Sequence, residues 1–191
     1  MGFRLYYFGE YGNYGGPGYG PVYVGVNEEG EYYYTTGVAP KDGLDSIFMN
    51  HDISYSLTDL KLKNGDITKT EAALEIIEAD AQLLVDSLSY KPYNDPKVVG
   101  PIDAAHAAAY QAAAIVAFTG KMLYDMDKLV TAGATDAITA AGNIINDLIA
   151  SGVDFTGGML GSALDDILDR LRDLFGNAEN TKSPIIIDLN N

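Results

Sequence analysis

His51 and Asp52 stand side by side, and no other imidazole in the chain has a carboxylate next to it. An imidazole is a general base near neutral pH, and a carboxylate is a ligand for a hard cation such as calcium. The stretch that carries them, Pro40-Lys41-Asp42-Gly43-Leu44-Asp45-Ser46-Ile47-Phe48-Met49-Asn50-His51-Asp52-Ile53-Ser54-Tyr55, reads as the opening turns of a helix. Asp42 is placed to cap the N-terminus, Asp45 puts a carboxylate where the helix dipole favours one, and Pro40 lies just upstream. Helical spacing sets Ile47, His51 and Tyr55 on one face, and Asp45, Phe48, Asp52 and Tyr55 down the adjacent face. A second carboxylate, Asp80, falls within the apolar stripe of the following helix, between Ile76 and Leu84. Burying it unpaired would cost on the order of several kcal/mol, so it requires a partner. A local hydroxyl, a helix-end amide or an imidazole on a neighbouring helix would each serve. Upstream, Tyr11-Gly12-Asn13-Tyr14-Gly15-Gly16-Pro17-Gly18-Tyr19-Gly20 is a glycine loop. Its glycines permit positive φ and keep side chains out of the way, so backbone carbonyls and amides can converge on something small. The same composition also suits a low-complexity linker.

The elements around these groups follow from patterning. Leu5–Phe8 reads as a short strand. Pro21–Val26 and Tyr32–Thr36 read as strands joined by a turn at Asn27–Glu31. The first helix is expected to end near Leu60, before a polar turn at Lys61–Asp66 whose Asn64-Gly65 is the break. That turn lacks the spacing of an EF-hand. Thr68 or Thr70 caps the next helix, which runs from Glu71 to about Leu88 with Ala73, Ile76, Ile77, Leu83, Leu84 and Leu88 as its buried stripe. After a break at Tyr90–Pro96, the chain reads as helical from Pro101 to Phe175. The pieces are Ile102–Leu123, Thr131–Ala150 and Leu160–Phe175, separated near Gly120 and Gly152 and by Gly157-Gly158. Alanine runs favour helix here. His106 reads as a solvated or structurally hydrogen-bonded side chain. Asp165–Phe175 is amphipathic with a mostly acidic polar face, which suits a packed terminal helix better than a membrane anchor.

Composition bounds the rest. The chain has 191 residues, 47% hydrophobic, enough for a sizeable core without staples. It has no cysteine, so neither disulfides nor thiol chemistry contribute. A net charge of -15 argues against nucleic acid as a partner and against an anionic membrane surface unless a cation intervenes. No segment reaches the roughly 20 apolar residues that a bilayer span needs.

In this order and with these residue types, the glycine loop, the His51-Asp52 helix and Asp80 resemble the secreted phospholipase A2 family, over roughly residues 11–88. Tyr14-Gly15-Gly16-Pro17-Gly18 looks like that family's calcium loop in its bacterial and viral form. Pro40–Asp45 with His51, Asp52 and Tyr55 looks like its active-site helix, including an acidic residue six before the histidine. Ala79-Asp80 resembles the third helix, whose aspartate orients that histidine. The resemblance implies a mainly α fold: two antiparallel helices, a calcium loop and a small β-hairpin, with a C-terminal helical region added. It implies calcium held by the carbonyls of Tyr14, Gly16 and Gly18 and by the Asp52 carboxylate. His51 would deprotonate a water that attacks the sn-2 ester of a glycerophospholipid, Asp80 would accept the other imidazole N–H, and Tyr55 would hydrogen-bond Asp80. The Gly16 amide and calcium would meet the oxyanion.

The chain also departs from the family pattern. Ile47 and Phe48 stand where a cysteine pair is usual, so their burial must replace a covalent staple. The insertion from Tyr19 to Ala39 is long, the connection from His51 to Asp80 is short, and a second tyrosine supporting Asp80 is not assignable. The expected organisation is a catalytic core over residues 1–95, a helical extension packed on it over 96–180, and a tail over 181–191 cut from a larger protein. The expected setting is lipid degradation at a phospholipid membrane surface by a secreted toxin or effector. Its export signal lies outside this segment, and it is cytoplasmic before export. An inhibitor or immunity protein and further domains of a longer chain are candidate partners. The competing reading is a catalytically silent, calcium-dependent module that docks on a membrane or a receptor.

Overall fold

The computed structural model describes residues 11–16 and 21–131. The expected strand at Leu5–Phe8, the expected helices Thr131–Ala150 and Leu160–Phe175, and the tail at 181–191 lie outside these residues, save for Thr131 itself. Within them the fold is mainly helical, with one small antiparallel sheet. No described helix is long and apolar enough to cross a membrane.

β1 (Val22–Val26) pairs with β2 (Tyr32–Thr36), Val22 opposite Thr36 and Val26 opposite Tyr32. The turn between them closes on Asn27, whose side chain accepts the Glu31 amide at 2.7 Å. Gly30, at φ 84°, supplies the left-handed residue there. The hairpin is fastened at both ends. Val22 packs against the core, and the Tyr32 hydroxyl donates to Asp66.

α1 (Gly43–Asn64) begins as its sequence demands, with the Asp42 side chain accepting the Asp45 amide at 3.0 Å. It runs one turn past the expected end near Leu60. The stop is Gly65, which takes φ 81° and returns its amide to the Leu62 carbonyl, while the Asp66 amide reaches Lys61. Lys61 and Lys63 in the last turn complement the helix dipole, so a stretch that looks like a polar turn stays helical. α2 (Lys69–Ser89) opens on a capping box: Thr68 accepts the Glu71 amide and Glu71 accepts the Thr68 amide. Four residues join α1 to α2, and the helices lie antiparallel, as the pairs His51–Asp80, Thr58–Glu75 and Lys61–Glu75 show. Of the expected stripe on α2, Ile77, Leu83 and Leu84 are buried, and Ala73, Ile76 and Leu88 are half-buried.

After a single 3-10 turn at Pro92–Asn94, α3 (Pro101–Thr131) runs as one 31-residue helix. The expected break near Gly120 does not occur. Met122, Met126 and Leu129 continue the buried stripe beyond it. Tertiary packing thereby outweighs the penalty of about 1 kcal/mol for an interior glycine. Ala107 and Ala114 of α3 share one core cluster with Leu44 and Phe48 of α1, Leu83 of α2, and Tyr11 and Tyr14 of the glycine loop. Phe48 is buried and meets Tyr110 edge-on at 5.5 Å, and Ile47 packs on the same cluster.

A Cβ built on Gly120 meets nothing within 4 Å. Gly120→Ala should therefore stabilise the protein by about 0.5–1 kcal/mol, read as a higher urea midpoint at unchanged slope. Asp95 accepts the Gly43 amide at 2.7 Å, the Lys97 amide at 2.8 Å and the Tyr90 hydroxyl at 3.0 Å. Burial pushes this carboxyl up, but those donors outweigh it and hold its pKa below the usual aspartate value. A depressed folded pKa gives stability that is present above the unfolded value and is lost as pH falls through the folded one. The stability gap between the protein and Asp95→Asn, measured by urea denaturation, should be widest near pH 7 and narrow below about pH 4.

Candidate active site

The site is built where the glycine loop meets the start of α1. Tyr11 and Gly15 exchange backbone hydrogen bonds of 2.7 and 2.8 Å, closing a tight turn. The Asp45 carboxylate lies beneath it, fully buried. It accepts the amides of Asn13 at 2.9 Å, Tyr14 at 2.8 Å and Lys41 at 2.7 Å. Gly12 (φ 62°) makes this approach possible, because a Cβ there would stand 2.3 Å from Asp45 Cγ. The Tyr11 hydroxyl reaches Asp42 at 2.7 Å, Asn13 reaches the Ala39 carbonyl, and the buried Tyr14 donates to the Val38 carbonyl. Residues 11–16 are thus an ordered loop pinned to a helix N-terminus, which sets aside the linker reading for them. Pro17 and Gly18 lie outside the described residues, so the expected Gly18 ligand is not placed.

About two and three turns beyond Asp45 along α1 lie His51 and Tyr55, which meet Asp80 of α2. His51 Nε2 lies 2.9 Å from Asp80 Oδ1, and the Tyr55 hydroxyl donates to the same oxygen at 2.5 Å. His51 is 8% exposed and Asp80 is 0% exposed. The Tyr55 ring lies 4.2 Å from the imidazole, and Phe118 of α3 meets it edge-on at 4.7 Å. With Asp80 on Nε2, the neutral ring carries its proton there and its lone pair on Nδ1. Nδ1 faces the side of Asp52, whose Oδ1 lies 3.6 Å away, too far for a good hydrogen bond.

Electrostatics divide the groups. Burial alone would lower the His51 pKa, but Asp52 and Asp80 outweigh it and raise it above the ordinary histidine value. Burial raises the Asp52 pKa and Asp45 adds like-charge repulsion, and together they outweigh the lowering from His51. Burial and the Asp80 charge hold the Tyr55 hydroxyl firmly protonated. This pattern suits a cation beside Asp52. One carboxylate and backbone carbonyls are hard oxygen donors, which calcium prefers. Among the described residues no group of three or more His, Cys, Asp or Glu is set to hold a metal, so a calcium site here would draw mainly on backbone oxygens.

Two contacts of this candidate site escape sequence reasoning. Asp45 reads there as a helix-dipole residue, yet it is the loop's anchor. Lys121 of α3 places Nζ 2.9 Å from Asp80 Oδ2. The signal for it was present: Lys121 is the only charged residue between Asp103 and Asp125. His106, expected to be solvated or structurally hydrogen-bonded, is exposed, and its ring lies 5.6 Å from that of Tyr11 at a tilt of 56°.

Asp45→Ala leaves three amides without their acceptor. It should cost about 3 kcal/mol of stability and accelerate hydrogen exchange at Asn13 and Tyr14 well beyond that global loss. No family model, curated protein or solved structure matches this chain.

Proposed function

We propose that the protein is a calcium-dependent phospholipase A2 built on a phospholipase A2-like core, acting on the sn-2 ester of glycerophospholipids. The observation that carries the reading is the joint placement of His51, Tyr55 and Asp80, on a helix whose N-terminal turn anchors the glycine loop through Asp45. The Tyr14, Gly16 and Gly18 carbonyls and the Asp52 carboxylate would hold calcium, which supplies Lewis-acid polarisation of the ester carbonyl.

The chain's own residues do the rest. His51 takes a proton from water at Nδ1 as the oxygen attacks the sn-2 carbonyl carbon. The positive charge that develops on the ring is met by Asp80 at Nε2–H, which fixes the ring's orientation and tautomer. Tyr55 donates to the same carboxylate oxygen and holds it toward the ring. The Gly16 amide donates to the carbonyl oxygen as negative charge builds there. His51 then returns the proton to the departing glycerol oxygen, releasing free fatty acid and lysophospholipid. The rings of Phe118 and Tyr55 pack against the imidazole and limit its contact with bulk water. The protein is proposed to work at a phospholipid surface, as a secreted lipid-degrading enzyme.

The test is direct. Incubated with mixed phospholipid vesicles at millimolar calcium, the protein should release sn-2 fatty acid, identified by mass spectrometry, and a chelator should abolish the release. His51→Gln should lower the rate about a thousandfold and leave calcium binding intact by titration calorimetry. Calcium-dependent vesicle binding without any fatty acid from the unsubstituted protein would favour the silent docking module instead.

A further inference from the structure

Asp80 uses its two oxygens for different elements. Oδ1 serves α1, through His51 and Tyr55, and Oδ2 serves α3, through Lys121. Lys121 is itself steadied. Its Nζ lies 2.7 Å from Asp125 Oδ2 one turn on, and 5.1 Å from the centre of the Tyr55 ring. Asp125 is in turn paired with Lys128 at 3.3 Å. The helix that delivers Lys121 is fixed to the end of α2 by Gln111, which donates to the Ser87 and Tyr90 carbonyls. Phe118, one turn before Lys121, closes on the imidazole.

We propose that Lys121 is a positioning residue of the site: it clamps the outer oxygen of Asp80 and through that carboxylate sets the orientation and tautomer of His51. A carboxylate held at one oxygen can turn about Cβ–Cγ, and a second donor at the other oxygen removes that freedom. Lys121 is that second donor. α3 is therefore part of the apparatus rather than a cover on a complete two-helix unit.

The catalytic consequence rests on the phospholipase reading, and the structural one does not, so two measurements separate them. The chain has two histidines. Nitrogen-15 labelling of both, with His106→Gln to assign the signals, reads the His51 tautomer directly. In the unsubstituted protein, at a pH where the ring is neutral, His51 should be almost entirely protonated on Nε2. In Lys121→Met the Nδ1–H form should become clearly populated, and Lys121→Arg should restore most of the original ratio. In the vesicle assay Lys121→Met should lower kcat by about tenfold with KM and calcium affinity unchanged, as expected for a group acting behind the reacting residue. Lys63→Met, an exposed lysine at the far end of α1, is the control and should alter neither reading. A tautomer ratio unchanged in Lys121→Met overturns the proposal, even if the unsubstituted protein proves to release no fatty acid. Should Lys121→Met fail to fold, Asp125→Ala frees the lysine from its tether. A smaller shift of the ratio in the same direction is then expected, and an unchanged ratio again overturns the proposal.

Discussion

A carboxylate with no exposure to water sits at the junction of three helices, and the arrangement of the molecule follows from the need to satisfy it. Asp80 cannot remain charged in that position without donors on both oxygens. α1 provides an imidazole and a phenol, and α3 provides an ammonium. These contacts constrain more than the site. Antiparallel packing of α1 on α2 brings residues 51 and 80 level, and the long unbroken α3 brings residue 121 to the opposite side. The buried stripe that carries α3 past Gly120 is what allows Lys121 to arrive at all.

A second buried carboxylate plays the corresponding part at the other end. Asp45 gathers the amides of Asn13, Tyr14 and Lys41, so the loop and the helix start are one body. The two aspartates divide the labour: one holds backbone donors and shapes a loop, the other holds side-chain donors and orients a ring. Asp52 lies between them in the sequence, one-third exposed, with only the more distant His51 Nδ1 at 3.6 Å recorded beside it among the described residues. That asymmetry among three acidic residues says more about chemistry than the overall acidity does.

Much of this was legible beforehand because it is local. Helical spacing put His51 and Tyr55 on one face, and an aspartate inside an apolar stripe announced that it had a partner. The hairpin and the Thr68 cap are likewise short-range signals, and both stand where residue type demands. What sequence patterning obscures is the balance between local preference and packing. The Lys61–Asn64 stretch looks like a turn but is held in helix by the glycine cap beyond it. Gly120 looks like a break but is bridged by methionines buried on either side of the next turn. Lys121 and the anchoring role of Asp45 are contacts across 41 and 31 residues, and no periodicity reports them. For Lys121, the one usable sign was a charge that ends a long uncharged, alanine-rich stretch of helix.

The division of Asp80 between two sets of donors bears on how the position can change. Every neighbour of its oxygens gives a hydrogen, so the residue must accept on both sides. An asparagine would match it in shape, yet its amide can accept on one side only. Whichever way it flipped, an NH2 group would face either the lysine or the imidazole and phenol. The near-isostere is thus excluded by directionality rather than by size, and a glutamate by the lack of room in a fully enclosed position.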